Sequence, residues 1–282
     1  MKNIKYLFSK MMNFRRIKFS QQSTIELLGT RLGIIIFSLT LISSCSQKNG
    51  FTDIGPREFN SVEQTLTEIK KFSRLLARKN GKDLESDDVI RGLEALAQNK
   101  YEEANFYIQH ALKFDPKNSH LHKLNALCYH FRGDHGDPEQ YKLADVGYRL
   151  AGRLDPGDSS IPYYLGLLNF TQNQLKTAQN YFAEAILLDD RKPEYYLGLA
   201  ATSYYLGELD RAYKNIKRAS HMNPHDVDTI QASGMIHAAM GAFNPAEKKG
   251  NQLVDYSPVR QRYLQRRIED WKSYYSANNL GT

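Results

Sequence analysis

The chain has 282 residues, 41% hydrophobic and 24% charged, a composition that excludes both a multispanning membrane protein and a disordered chain. Its formal charge of +7 sits at the start: residues 1–45 hold seven Lys/Arg and one acid, leaving 31 bases against 30 acids in residues 46–282. So balanced a body offers no phosphate-neutralising surface, which excludes nucleic acid as a partner.

Along the chain, a basic polar flank ends at Arg31, an apolar run "LGIIIFSLTLI" spans Leu32–Ile42, and Ser43 and Ser44 precede Cys45. Eleven residues make roughly 16 Å of helix, too short for a hydrocarbon core of about 30 Å. Basic flank, short apolar core and small residues are the pattern of a secretory signal. The stretch "ISSC" resembles the lipobox of bacterial lipoproteins, and that resemblance implies that residues 1–45 are a signal whose Cys45 is acylated and becomes the new N-terminus. Ser46, not Asp, follows, which by the same resemblance implies the periplasmic face of the bacterial outer membrane. The covalent lipid on Cys45 is then the one non-protein group expected, with no cofactor and no metal. Cys128, the other cysteine, is left without a partner for an internal disulfide and reads as a small buried hydrophobe.

Residues 46–57 read as a tether. Over 58–81, Phe59, Val62, Leu66, Ile69, Phe72 and Leu76 recur at helical spacing, Ser61 and Gln64 form a capping box, and Gly81 supplies a stop. One helix capping the N-terminal end of the body is expected there.

The body is organised by a recurring turn: "FDP" at Pro116, "LDP" at Pro156, "LDD" at Asp190, "MNP" at Pro224 and "YSP" at Pro258. The last four fall 34 residues apart, and the first interval is six longer. A 34-residue period is the signature of the tetratricopeptide repeat, a helix–turn–helix unit. Counting the Pro as position 32, small residues occupy position 20 (Ala104, Ala144, Ala178, Ala212, Ala246) and position 8 (Gly92, Ala126, Gly166, Ala200, Gly234). Position 24 is a large apolar knob in Ile108, Tyr148, Phe182 and Ile216, but Gly250 in the fifth repeat, where something else must fill the gap. Five repeats are expected over 85–260, followed by a capping helix over 261–277 with Tyr263, Ile268, Trp271 and Tyr275 on its apolar side. A stacked array needs such caps because its last repeat would otherwise show water its apolar face. The fold expected is all-α, a right-handed tetratricopeptide superhelix.

No G-x-S-x-G, H-E-x-x-H, G-x-x-x-x-G-K-[ST] or C-x-x-C occurs, so the common catalytic and nucleotide signatures are absent and no enzyme is expected. The second repeat gathers His120, His122, Cys128, His130, Asp134, His135 and Asp137, residue types that suit a transition metal. Against that, His120 and His122 are two apart on one helix and face different ways. The six extra residues also fit a turn, where Gly, Asp and Pro are ordinary. A metal or ligand site there would require His120, His130 and His135 to converge.

Resemblance to tetratricopeptide arrays implies a concave groove lined by each repeat's first helix, chiefly through positions 2, 5, 9, 12 and 13. In the second repeat this selects Lys123, His130 and Phe131, beside His120 and Leu127. The third supplies Tyr163, Leu167 and Phe170, and the fourth Glu194, Leu197, Tyr204 and Tyr205. Rigid aromatics with a polar tip suit a binding surface. The family's clamp for an acidic peptide C-terminus needs Lys at position 5 and Asn at position 9. Only Lys123 matches, since position 9 is Leu93, Leu127, Leu167, Ala201 and Met235, which argues against a cytosolic chaperone cofactor. The terminal run with Arg260, Arg262, Arg266, Arg267 and Lys272 reads as the solvated side of a cap, or as a patch for anionic lipid or an acidic partner. Signal and repeats together resemble tetratricopeptide lipoproteins of the bacterial envelope, a group that includes the pilotins of type IV pilus and secretin systems. That resemblance implies envelope proteins as partners, bound in the groove, and a membrane reached through the lipid.

Overall fold

The computed structural model of the chain describes residues 83–278. The signal, Cys45, the tether and the helix expected over 58–81 lie outside the described residues. Within them the chain forms eleven helices and no strand: α1 (Asp83–Ala97), α2 (Tyr101–Phe114), α3 (Ser119–Asp134), α4 (Gln140–Leu154), α5 (Ser160–Thr171), α6 (Leu175–Leu188), α7 (Pro193–Tyr205), α8 (Leu209–Met222), α9 (Val227–Ala239), α10 (Phe243–Gln252) and α11 (Pro258–Ala277). Each helix packs on the next, and α3, α5, α7 and α9 also touch their odd-numbered neighbours, so the odd helices form one layer and the even helices the other.

The repeated small residues are what let the layers close. Ala104, Ala144, Ala178, Ala212 and Ala246 are all fully buried. Phe182 lies against two glycines at once, its ring carbons 2.7 Å and 2.6 Å from where a Cβ on Gly166 and on Gly198 would stand. Any larger residue at either crossing would push α5 or α7 off that ring.

Four turns within repeats are built alike. Asn99, Asn173, Gly207 and Gly241 occupy the left-handed region at φ 58°, 62°, 73° and 77°. The following amide donates back to the preceding helix, from Lys100 to Ala95, Gln174 to Asn169, Glu208 to Ser203 and Ala242 to His237, at 2.8–2.9 Å. This is the Schellman stop, and its last residue is also the N-cap of the next helix. The second repeat departs from the pattern. Its six extra residues do not simply form a turn: α3 continues to Asp134, 16 residues against 12 in α5, and only 135–139 are non-helical.

Candidate functional site

The odd helices carry the side chains expected to line a groove, and they split into two classes. His130, Tyr163, Phe170, Leu197 and Tyr204 are buried, whereas Lys123, Phe131, Leu167, Glu194 and Tyr205 are half-buried.

His130 turns into its own repeat. Its Nδ1 lies 3.3 Å from the Tyr148 hydroxyl, and its ring meets Tyr141 and Tyr148 edge-on. Burial lowers its pKa, opposed by the Asp134 carboxylate. Lys123 is likewise engaged: its Nζ donates to Asp158 Oδ2 at 2.5 Å and to Ser160 Oγ at 2.8 Å. Burial works to raise the Asp158 pKa, and the bonds from Lys123 and Ser160 outweigh it, holding the carboxyl below its ordinary value. Lys123, the one residue that matches the family's clamp pattern, is therefore a strut between the second and third repeats.

The aromatics form two clusters. Tyr163 contacts Tyr164, Phe182 and Tyr195 at ring separations of 5.5, 5.9 and 5.0 Å, and burial drives its hydroxyl pKa well above the usual value. Farther along, Tyr205 meets Phe170 at 5.6 Å and Tyr204 at 5.3 Å. Burial also raises the Tyr204 pKa, while the Arg267 charge and the neighbouring Trp271 indole pull it back. Both opposing residues belong to α11, so the terminal helix reaches the Tyr204 cluster.

Histidines of the second repeat do not converge. His122 Nε2 bonds the Pro116 carbonyl at 2.9 Å, His135 Nδ1 bonds the Phe131 carbonyl at 2.8 Å, and His130 is buried as described. Cys128 is buried, and burial pushes its thiol up to about 12. Among the described residues no three His, Cys, Asp or Glu side chains are grouped to hold a metal.

Sequence reasoning missed a cleft of about 610 Å³ at the edge of the first two repeats, lined by Asn99–Glu103, Arg132 and His135–Asp137. The ring of Tyr101 sits between Phe131 at 5.2 Å and His135 at 4.9 Å, and Arg132 faces Glu102 at 3.5 Å. The extended α3 creates it, so the signal was the insertion itself. Its open, mixed-charge walls suit a polar peptide stretch and hold no reactive constellation.

Comparison with known proteins fixes the architecture. No family model matches the chain. The curated relatives include BBSome complex member BBS4 from Mus musculus, 29% identical over 128 residues, covering 43% of this chain and 25% of that protein. Its counterpart from Bos taurus is 26% identical over 126 residues, covering 44% and 24%. The chain thus spans about a quarter of the length of these relatives. Similar solved structures include PilF of Pseudomonas aeruginosa, with TM-score 0.58 and 16% identity, covering 72% of this chain and 96% of that one. A thermophilic tetratricopeptide protein of Thermus thermophilus gives 0.54 and 17%, covering 66% and 98%. The fold is the tetratricopeptide-repeat solenoid.

Within the tetratricopeptide frame, position 5 is a strut in the second repeat (Lys123), a core ring in the third (Tyr163) and a core aliphatic in the fourth (Leu197). Position 12 is buried in all three, as His130, Phe170 and Tyr204. The half-buried remainder of the face is carried by position 13 (Phe131, Tyr205) with Leu167 and Glu194.

Proposed function

We propose that the chain is a lipid-anchored, non-enzymatic scaffold that binds partner proteins during assembly of a cell-envelope complex. The observation that carries this reading is the union of a lipobox at Ile42–Cys45 with a tetratricopeptide array whose concave side offers aromatic surface and no catalytic constellation. Cys45 is the acylation site, and the protein sits on the periplasmic face of the outer membrane. The lipid confines the groove to a thin layer and raises the effective concentration of clients there. Secretin, type IV pilus and secretion machinery are the clients this reading names first; cell-wall hydrolases and outer-membrane insertion factors are the alternatives. The curated relatives, named as members of a complex, support a role as one subunit among several.

The test is crosslinking of intact membranes with wild type and with a Leu167→Ala/Tyr205→Ala variant. Those residues are half-buried, so their truncation alters the face without emptying the core. Recovery of an envelope-complex component with wild type and its loss with the variant supports the reading. Equal recovery from both moves binding off this face. Recovery of none overturns the scaffold role. Separately, Cys45→Ser should turn a protein extracted from outer membranes only by detergent into one released by high salt, and continued detergent-only extraction refutes the anchor.

A further inference from the structure

Consecutive helices run antiparallel, so the C-terminal ends of α2, α4, α6, α8 and α10 share one edge of the array with the starts of the odd helices that follow them. That edge is unusual in what it exposes. Position 30 is a large apolar residue in every repeat. Phe114 is 53% exposed, Leu154 37%, Leu188 44% and Tyr256 51%, and Met222 is half-buried. Leu187 beside them is 86% exposed and Val259 68%. Along the opposite edge, where the turns within repeats lie, the exposed large hydrophobics among the described residues are fewer: Met240 at 36% and Leu143, in the first turn of α4, at 48%.

The exposed charge of this edge is mostly positive. Lys113, Lys117, Arg153 and Lys192 stand exposed among the apolar tips. The acids of these turns are mostly drawn inward: Asp115 accepts from Asn118, Asp155 from the Gly157 amide, Asp158 from Lys123, and Asp226 from Thr229. Asp190 and Asp255 are the exposed acids of this edge. The opposite edge is mixed: Glu102, Glu103, Asp137, Glu139 and Asp210 are exposed there beside Lys100, Lys142, Lys176 and Arg211.

We propose that the edge formed by the turns between repeats docks on an anionic lipid bilayer. Separated apolar tips, each flanked by Lys or Arg, match an interfacial surface: the tips enter the boundary of the acyl region and the cations meet the headgroup phosphates. A protein interface fits less well, because its buried centre is depleted of lysine, and here lysine alternates with the apolar tips. The proposal stands apart from acylation of Cys45 and from any client in the groove. It would turn the concave face sideways to the membrane.

The test uses the full chain with Cys45→Ser, carrying Leu187→Cys and an environment-sensitive thiol fluorophore; the buried Cys128 stays unlabelled. A second chain carries the label at Gln172→Cys, exposed on the opposite edge. Both are mixed with vesicles of phosphatidylcholine alone or with phosphatidylglycerol added. The expected result is a blue shift and protection from aqueous quencher at 187 only, in the phosphatidylglycerol vesicles only. Neutralising Lys113, Lys117 or Lys192 to Gln should weaken partition by about fivefold per cation. No shift at 187, equal shifts at both positions, or the same response on phosphatidylcholine alone overturns the proposal. Equal shifts are what attachment through the apolar leader alone would give.

Discussion

Leu264 of α11 fills the place that Gly250 leaves empty. Its Cδ2 stands 2.5 Å from where a Cβ on Gly234 would be and 3.9 Å from the same point on Gly250, and the side chain is fully buried. In the third repeat Phe182 plays this part from within the repeat; in the fifth the terminal helix supplies it. Two substitutions of the same kind should therefore differ in sign. Gly250→Ala meets only an ordinary contact and gains helix propensity, a stabilisation of about 0.5 kcal/mol. Gly234→Ala must displace Leu264 and should destabilise, as should Leu264→Ala, by about 2–5 kcal/mol. Urea unfolding of the three variants decides it, and equal effects at the two glycines would show that the fifth repeat is not closed this way.

Gly241 is constrained twice. Its φ of +77° disfavours any side chain, and a Cβ there would lie 2.9 Å from Tyr275 Cε1. The Tyr275 hydroxyl also donates to the Ala239 carbonyl at 3.0 Å, so the ring cannot simply swing away. Gly241→Ala should cost at least about 1 kcal/mol. Asn173→Gly, at the matching position of the third repeat with φ 62°, should be close to neutral. Thermal unfolding of both variants measures the contrast.

The spacing of prolines, the small crossings and the knobs were legible because the same steric requirement recurs every 34 residues and each occurrence checks the others. The gap at Gly250 was legible too, though not that Leu264 fills it. Side-chain direction on the layer of odd-numbered helices was not legible. Helical position tells which side of α3 Lys123 and His130 lie on, but Lys123 is settled by Asp158, 35 residues away, and His130 by Tyr148 on the partner helix. Such choices depend on contacts with the next helix, which no single-helix pattern encodes. The insertion misled for a related reason: its Gly and Asp read as a turn, while contact with α4, including Tyr141 to Asp134 at 2.8 Å, keeps most of it helical.

Acid should weaken the second repeat through His130. In the unfolded chain the imidazole takes a proton near its ordinary 6.5; in the fold burial holds the pKa lower, with Asp134 opposing. The unfolded state therefore binds more protons as pH falls below 6.5, so stability is full above that value and declines toward the folded pKa. Tyr148, Tyr141 and Phe131 surround the ring, and none supplies a positive charge. The urea midpoint should drop between pH 7.5 and pH 5.5 in wild type and drop less in His130→Gln. An equal drop in both would assign the acid sensitivity elsewhere.

Cys128 should be chemically silent in the folded protein. Its side chain is fully buried, and burial raises its thiol pKa to about 12. The thiolate is the species that attacks thiol reagents, so both access and ionisation are withheld. In the Cys45→Ser chain, native protein should take up no aromatic disulfide reagent over the time in which urea-unfolded protein takes up one equivalent. Because Ala95 and Ala104 share its pocket, Cys128→Ala should retain the fold with a modest loss, and Cys128→Asp, which buries a charge, should not. Rapid native labelling would mean that α3 opens away from α2 far more readily than its packing implies, and the second repeat would then be the mobile part of the array.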